Sequence, residues 1–331
     1  MKKAIVYGTG NYYEQNKKKL PNDIEIVAYA DSNSNNATSH NGNLFKGLPM
    51  LIPEEFETVT YDVVYICTDY AVGNRIFLRL LSAGIGSDRI LFLNRINISV
   101  DWKYTATDDR KGYLSTVGGI TVREKYLTDF DIVNEVLIDN SYGFELSDSE
   151  CVVIDIGMNV AIASLYFAKM LNVNKVYGFE AFPDTYEQAL ANVALNPREI
   201  KEKIVAKNFA LSDENGRKMV VVSSEETGWR NIFSKDENKR QVEIECRDAG
   251  EVVKNIINKH NEKVVLKIDT EGAEFPIFTA LDRAGCFEKI DMIMMEYHGN
   301  SEKILSVLRK YGYKIFIQGR RTVCGLIHAV K

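Results

Sequence analysis

VVIDIGMNVAIASLYFAKMLNVNKVYGFEAFP, residues 152–183, reads as strand, turn, helix and strand. An apolar strand (Val152, Val153, Ile154) ends in Asp155. A turn, Gly157-Met158-Asn159, leads into an apolar helix carrying Ala163, Leu165, Tyr166 and Ala168, and a second strand, Lys175 to Phe179, ends in Glu180. A buried strand that delivers a short turn onto a helix N-terminus lets backbone approach a ligand closely. A carboxylate at the end of the next strand can accept two hydrogen bonds from a ribose diol. The stretch is therefore expected to form a nucleoside-binding half-site. The competing reading is that Asp155 and Glu180 merely cap strands of an α/β sheet.

A dinucleotide site favours G-x-G-x-x-G, with the second glycine admitting a pyrophosphate. Asn159 occupies that slot here. Asp155, just before the glycine, would repel a pyrophosphate and suits a cationic or amino-bearing ligand. S-adenosylmethionine, with a sulfonium, an ammonium and no phosphate, fits this spacing better than NAD.

Outward from this stretch, strands and helices alternate on both sides, which implies parallel sheets. Strands are expected at 2–8, 24–33, 61–69 and 89–93, giving a small Rossmann-like domain over about 1–97. Residues 98–128, with a Gly118-Gly119 turn, read as a connector. Phe130, Val133, Val136 and Leu137 fall on one face of a helix, and the second domain is expected over 129–331. There Asp184 and Glu187 form a D-x-x-E capping pattern, Ser301 is placed to cap another helix, and 313–318 with 323–330 read as a closing antiparallel pair. The expected fold class is α/β, two Rossmann-like domains in tandem.

Composition excludes several classes. The 331 residues are 45% hydrophobic and 26% charged, as in ordinary globular proteins. A net charge of −5 gives no basic surface for nucleic acid. No apolar run reaches the roughly 18 residues of a membrane span. Five scattered cysteines without C-x-x-C, and four histidines without ligand spacing, indicate neither a disulfide framework nor a metal site. A cytoplasmic location and a metal-independent chemistry are expected.

The blocks Asp155-Ile156-Gly157-Met158-Asn159, Phe179-Glu180, Asn192 to Asn196, and Lys267-Ile268-Asp269-Thr270-Glu271-Gly272-Ala273-Glu274 resemble the FkbM family of S-adenosylmethionine-dependent methyltransferases. The resemblance covers about 130–331. It implies a class I methyltransferase fold, a mostly parallel seven-stranded sheet with an antiparallel last strand. It also implies methyl transfer to a hydroxyl of a small molecule such as a sugar of a surface polysaccharide or its nucleotide-sugar precursor. Two departures stand out. Met158 replaces the family's usual alanine and would add bulk beside the cofactor's amino-acid end, and Ala161 replaces a glycine.

On that reading Asp155, Gly157, Met158, Asn159, Glu180, Ala181, Phe182, Ala210, Leu211 and Asp269 line the cofactor site. Methyl transfer is an in-line displacement that needs alignment and a base for the alcohol proton. Asp269, Glu271 and His298 are the candidates for catalysis, with Glu274 as readily explained by the helix dipole. His298 is chosen because an unperturbed pKa near 6.5 suits a base. Glu296, His298, Trp229 and Arg230 are candidate acceptor contacts, an aromatic beside an arginine being suited to grip a sugar or an anion. Lys267 is expected to pair with Glu271 or Glu296.

In the first domain Gly8-Thr9-Gly10-Asn11-Tyr12-Tyr13 lacks the third glycine, although Asp31 stands where a ribose-binding acid would. The layout resembles small nucleotide-binding-like domains attached to bacterial sugar-modifying enzymes. Two rival functions stay open: a nicotinamide-dependent oxidoreductase using this first domain, and a non-catalytic binding module that keeps the methyltransferase fold.

Overall fold

The computed structural model describes residues 1–31, 44–68, 70–93, 102–106, 112–144, 149–222, 230, 240–299, 301–320 and 324–331. The chain forms two compact units, Met1–Gly119 with Arg123–Asp131, and Ile120–Val122 with Ile132–Lys331.

The first unit contains β1 (Lys2–Tyr7), α1 (Asn11–Asn16), β2 (Ile24–Ala30), β3 (Leu44–Phe45), β4 (Leu48–Leu51), β5 (Val63–Ile66), α2 (Tyr70–Ser82) and β6 (Ile90–Phe92). Its sheet runs β3-β4-β2-β1-β5-β6, and β1 lies parallel to both β2 and β5. Central parallel strands are covered on both faces, so they read as apolar runs; Ala4 to Tyr7 and Val63 to Ile66 are all buried. Gly8 has φ +101°, and a Cβ there would meet the Cys67 carbonyl oxygen at 2.8 Å. Asp31 Oδ2 accepts from Thr9 N at 2.9 Å and Thr9 Oγ1 at 2.5 Å. Tyr13 is buried against Tyr29 and Phe45.

The stretch read as a connector carries regular structure: β7 (Trp102–Ala106), β8 (Tyr113–Val117) and β9 (Ile120–Glu124), with β7 and β8 antiparallel. The Gly118-Gly119 turn joins β8 to β9, the hairpin chemistry expected of two residues at positive φ. Next, α3 (Leu127–Val133) runs on into a π-helical turn, Asn134–Ile138.

The second unit continues with β10 (Cys151–Ile156), α4 (Ile162–Lys169), β11 (Val173–Glu180), α5 (Pro183–Ala194), α6 (Arg198–Lys201), β12 (Ile204–Asn208), β13 (Ala210–Ser212), β14 (Gly216–Val221), β15 (Gln241–Asp248), α7 (Ala249–Ile257), β16 (Lys263–Ile268), α8 (Glu274–Ala284), β17 (Met292–His298), α9 (Glu302–Lys310), β18 (Lys314–Arg320) and β19 (Cys324–Val330). Its main sheet runs β12-β11-β10-β16-β17-β19-β18. The first five strands are parallel, and β19 inserts between β17 and β18, antiparallel to both. The last strand in sequence is thus the reversed one, as the family resemblance implies. A small sheet, β13-β15-β14, flanks this array.

Two expected caps are not formed. Phe182 is the N-cap of α5 and Asp184 lies inside its first turn, because Pro183 occupies the first helical position, where its missing N–H costs nothing. Ser301 precedes α9 without a side-chain cap. Among the described residues no helix is long and apolar enough to cross a membrane.

Candidate active site

Both faces of β10 are buried, and the site begins where that strand stops. Gly157 has φ +82°, and a Cβ there would lie 1.7 Å from the Asp269 carbonyl oxygen. The ends of β10 and β16 converge on this point, so only glycine fits. The Gly157 and Met158 N–H groups both donate to the Phe179 carbonyl, at 3.1 and 2.9 Å, which ties the turn to β11. Asn159, at φ +50°, donates its N–H to Glu180 Oε2 at 2.9 Å, and the Phe182 N–H donates to Oε1 at 2.9 Å. Burial pushes the Glu180 carboxyl up to about 7, against the pull of those two N–H groups and of the Lys267 and Arg230 charges.

The thioether of Met158 does not stand beside the site. It fills the space where a Gly178 Cβ would be, 2.3 Å from that position, and clusters with Ala161 and Ala189. The expected crowding beside a cofactor is therefore absorbed by packing between α4, α5 and β11. Ala161 takes a left-handed conformation at the start of α4, φ +70°. Phe182 and Ala210 pack together with Val220, Val222, Ile244 and Cys246, while Leu211 belongs to the main core. Ala181 lies partly buried beside the first of these clusters.

Lys267 pairs differently from the sequence expectation. The β10/β16 register sets Asp155 opposite Lys267. Its ammonium lies 3.2 Å from Asp155 Oδ1 and 3.6 Å from Asp269 Oδ2, and donates to the Gly157 carbonyl at 2.7 Å. Glu271, in the turn after β16, and Glu296, near the end of β17, instead face His298. Asp155 is wholly buried and also accepts from Ser164 Oγ at 2.6 Å, so its charge is met inside the protein. Burial alone would lower the Lys267 pKa, yet Asp155 and Asp269 raise it, and the lysine stays charged.

Asp269, Glu271, Glu296 and His298 gather at the ends of β16 and β17. His298 Nε2 is 3.3 Å from Glu271 and 3.9 Å from Glu296, and Nδ1 is 3.4 Å from Glu274 Oε1. Glu274 Oε1 also accepts from Thr270 Oγ1 at 3.0 Å and Gly272 N at 2.9 Å. Burial raises both Glu271 and Glu296 to about 7; for Glu296 the nearby Asp269 charge adds to it. The bond with Glu274 lifts His298 to about 9, against burial and with help from Glu271. The imidazole is thus a cation at neutral pH, and the argument for it as a base, which rested on a value near 6.5, loses its premise.

Two residues absent from the sequence reading join this group. Tyr142 donates its hydroxyl to Asp269 Oδ2 at 3.1 Å from a buried position. Glu135, in the π-helical turn, has its pKa raised by burial and by the Asp269 charge. The π-turn itself, a rare feature common at functional sites, is the structural signal for Glu135, while Tyr142 lies beyond it. Ser164, which donates to Asp155, is not singled out by the sequence, where it is a small residue on a largely apolar helix. Arg230 is buried and donates to Asp184 Oδ1 at 2.7 Å and Thr185 Oγ1 at 3.0 Å; Trp229 lies outside the described residues.

A glycine turn, an acid at the end of the neighbouring strand and an acid-turn-acid block now share one sheet end. Residues 155–315 match the methyltransferase FkbM domain. The second unit carries an FkbM methyltransferase domain. Residues 1–91 match the C2185-like N-terminal domain. No curated protein matches the chain. Among solved structures, methyltransferase FkbM from Methylobacillus flagellatus KT is similar at 16% identity and TM-score 0.41, covering 99% of this chain and 90% of that one. The precorrin-6y C5,15-methyltransferase of Geobacter metallireducens GS-15 is similar at 12% identity and TM-score 0.32, over 55% of this chain and 80% of that one. Streptococcus pneumoniae Sp1610, in complex with S-adenosyl-L-methionine, is similar at 14% identity and TM-score 0.33, over 55% and 66%.

In the FkbM domain the Lys267 pair is the stability test. Lys267→Met leaves Asp155 buried without its cation, and urea unfolding is expected to show a loss of about 3–5 kcal/mol. Adding Asp155→Leu should recover most of it; an unrecovered loss would place the defect elsewhere.

The carboxylate–histidine cluster sets a pH dependence. Glu180, Glu271 and Glu296 have folded values raised from 4.5 to about 7, so the stability they confer is complete below pH 4.5 and lost as pH rises through 7. His298 is raised from 6.5 to about 9, so its share is complete below 6.5 and lost as pH rises through 9. The melting temperature should fall from pH 5 to pH 9, and the double change Glu271→Gln, Glu296→Gln should flatten the part below 7. Scanning calorimetry across that range checks both.

Proposed function

We propose that the FkbM domain binds S-adenosylmethionine between Gly157 and Glu180 and transfers its methyl group to a hydroxyl oxygen of a small molecule, a sugar or nucleotide-sugar of surface polysaccharide synthesis. The observation that carries the reading is Glu180: a buried carboxylate at a strand end, facing the tip of a glycine turn that holds no phosphate cradle. When bound, S-adenosylmethionine supplies an activated methyl on a sulfonium. The protein's part is alignment and proton removal. Glu180 receives the ribose diol. Gly157, Asn159, Ala181, Phe182, Ala210 and Leu211 frame the nucleoside. Asp269, oriented by Tyr142, stands between cofactor and acceptor.

The acceptor proton passes to a carboxylate with a value near ambient pH, Glu271 or Glu296. His298, held cationic by Glu274, keeps those two carboxylates in place and balances the charge left on the one that ionises. Among the described residues no group of His, Cys, Asp and Glu is arranged to hold a metal ion, and none is assigned a part here. The first unit serves as a scaffold or docking module in this reading, not as a redox domain. Thr9 already occupies the carboxylate of Asp31, the acid that would otherwise meet a ribose.

Calorimetric titration with S-adenosylhomocysteine tests the cofactor placement. Wild type should bind, and Glu180→Ala should lose about 1.5–3 kcal/mol of binding energy, the worth of hydrogen bonds to a charged group. Unchanged affinity in that variant would remove the nucleoside from this place, and tight NAD(H) binding instead would favour the oxidoreductase rival.

A panel of hydroxylated acceptors with methyl-labelled S-adenosylmethionine tests the acceptor side. Asp269→Asn should cut label transfer about 10²-fold or more while binding of S-adenosylhomocysteine changes little. Full transfer by that variant would clear Asp269 of any role at the acceptor.

A further inference from the structure

Arg230 was expected to grip an acceptor, yet its guanidinium is turned to another task. It is buried, with a side chain 3% exposed, and donates through Nη1 to Asp184 Oδ1 and Thr185 Oγ1 in the first turn of α5. The second oxygen of Asp184 accepts from Arg240 Nη2 at 2.8 Å. One carboxylate is thus held by two arginines, one of them buried. The guanidinium carbon lies 5.7 Å from the centre of the Phe182 ring. The Phe182 N–H in turn donates to Glu180 Oε1, and Phe182 is the N-cap of the same helix. A continuous chain of contacts therefore runs from Arg230 through the start of α5 to the acid assigned to the ribose.

We infer that Arg230 is a positioning residue for the nucleoside half-site: it fixes the first turn of α5, and with it Phe182 and the Glu180 carboxylate, and supplies one of the two positive charges that face that carboxylate. The inference rests on the assignment of Glu180 to the nucleoside. A buried guanidinium costs several kcal/mol to desolvate unless paired, and a surface arginine would brace α5 equally well at lower cost. What burial adds is an electrostatic reach undamped by water.

Among the described residues, the charged groups that act on Glu180 are few. Lys267 on β16 and Arg230 favour its ionised form, and burial opposes it. The charge of Lys267 is divided between Asp155 and Asp269. That of Arg230 is shared with Asp184, which Arg240 also serves. The remaining partners of the carboxylate are the N–H groups of Asn159 and Phe182. Glu180 must be ionised to accept both hydroxyls of a diol, so affinity for a nucleoside should fall as pH drops through its titration. Removing the Arg230 charge should move that midpoint up, and removing the Asp184 charge, which offsets Arg230, should move it down.

The experiment is a calorimetric titration with S-adenosylhomocysteine from pH 5.5 to 8.5, on the full chain. Arg230→Met should shift the midpoint of the affinity profile upward by about one pH unit and weaken binding by up to about tenfold at pH 6.5. Arg230→Lys, which keeps the charge and loses the planar fork, should restore the midpoint while leaving affinity below wild type at every pH. Asp184→Asn should shift the midpoint downward, and this variant decides the matter if Arg230→Met fails to fold. Midpoints equal to wild type in Arg230→Met, or an upward shift in Asp184→Asn, overturn the role given to Arg230 while leaving the nucleoside site standing. Absence of binding by wild type overturns the nucleoside reading, and the role of Arg230 with it.

Discussion

The Lys267 ammonium is buried among oxygens from three places in the chain: the Asp155 carboxylate on β10, the Gly157 carbonyl in the turn that follows, and the Asp269 carboxylate after β16. A charge in such surroundings is tolerated only when paired and hydrogen-bonded, so these groups cannot move independently. The consequence for the site is a fixed geometry. The Gly157 turn is drawn so close to the Asp269 backbone that no side chain fits between them. The same lysine that neutralises the strand-end acid therefore also sets where backbone can meet a ligand, and it holds Asp269 with one oxygen committed to Lys267 and Tyr142.

Around that fixed point the domain gathers more negative charge than it neutralises. Asp269, Glu271, Glu274, Glu296 and Glu135 share their surroundings with Lys267 and His298. Like charges in a partly dry place cannot all ionise, and the strain appears as carboxyl groups raised toward neutral pH and a histidine raised above it. The same physics divides the labour: a histidine locked as a cation cannot take a proton, and a carboxyl near 7 can. Such surroundings also suit a cationic methyl donor better than a phosphate-bearing cofactor.

Much of the fold was legible in the sequence because parallel strands buried on both faces show up as short apolar runs between turn residues. Val152 to Ile154 and Val264 to Ile268 are examples. The antiparallel pairing of β18 with β19 was legible as two apolar strands joined by a short turn, but the insertion of β19 between β17 and β18 was not, since nothing in its residues distinguishes an inserted strand from an added one. The strands β7 to β9 were missed because their mixed polar composition lacks that apolar signature. The π-turn at Asn134–Ile138 was read as ordinary helix, since Phe130, Val133, Val136 and Leu137 satisfy helical spacing whether or not one turn is widened. In the site, the acids were found by their place at strand ends. Their partners were not, because pairing depends on which strands are neighbours. Lys267 faces Asp155 only through the β10/β16 register, and His298 reaches Glu274 only because the turn at Thr270–Ala273 aims the start of α8 back at β17.

The two units meet the same architectural problem in different ways. Each places an acid at the end of its second strand, opposite a glycine turn from the first: Asp31 against Gly8-Thr9, Glu180 against Gly157-Met158-Asn159. In the first unit a side-chain hydroxyl of the turn itself, Thr9 Oγ1, donates to the acid, as a ribose hydroxyl would. The neighbouring Tyr13 is drawn into an aromatic cluster with Tyr29 and Phe45. In the second unit the turn offers Glu180 one backbone N–H and no hydroxyl. A diol would bring hydroxyl donors to both acids, but at Asp31 it must displace a short bond already made, whereas at Glu180 it adds to what the backbone provides. On the proposed assignment, that difference of one side-chain hydroxyl, present on Thr9 in the first turn and absent from the second, favours the second unit for the nucleoside.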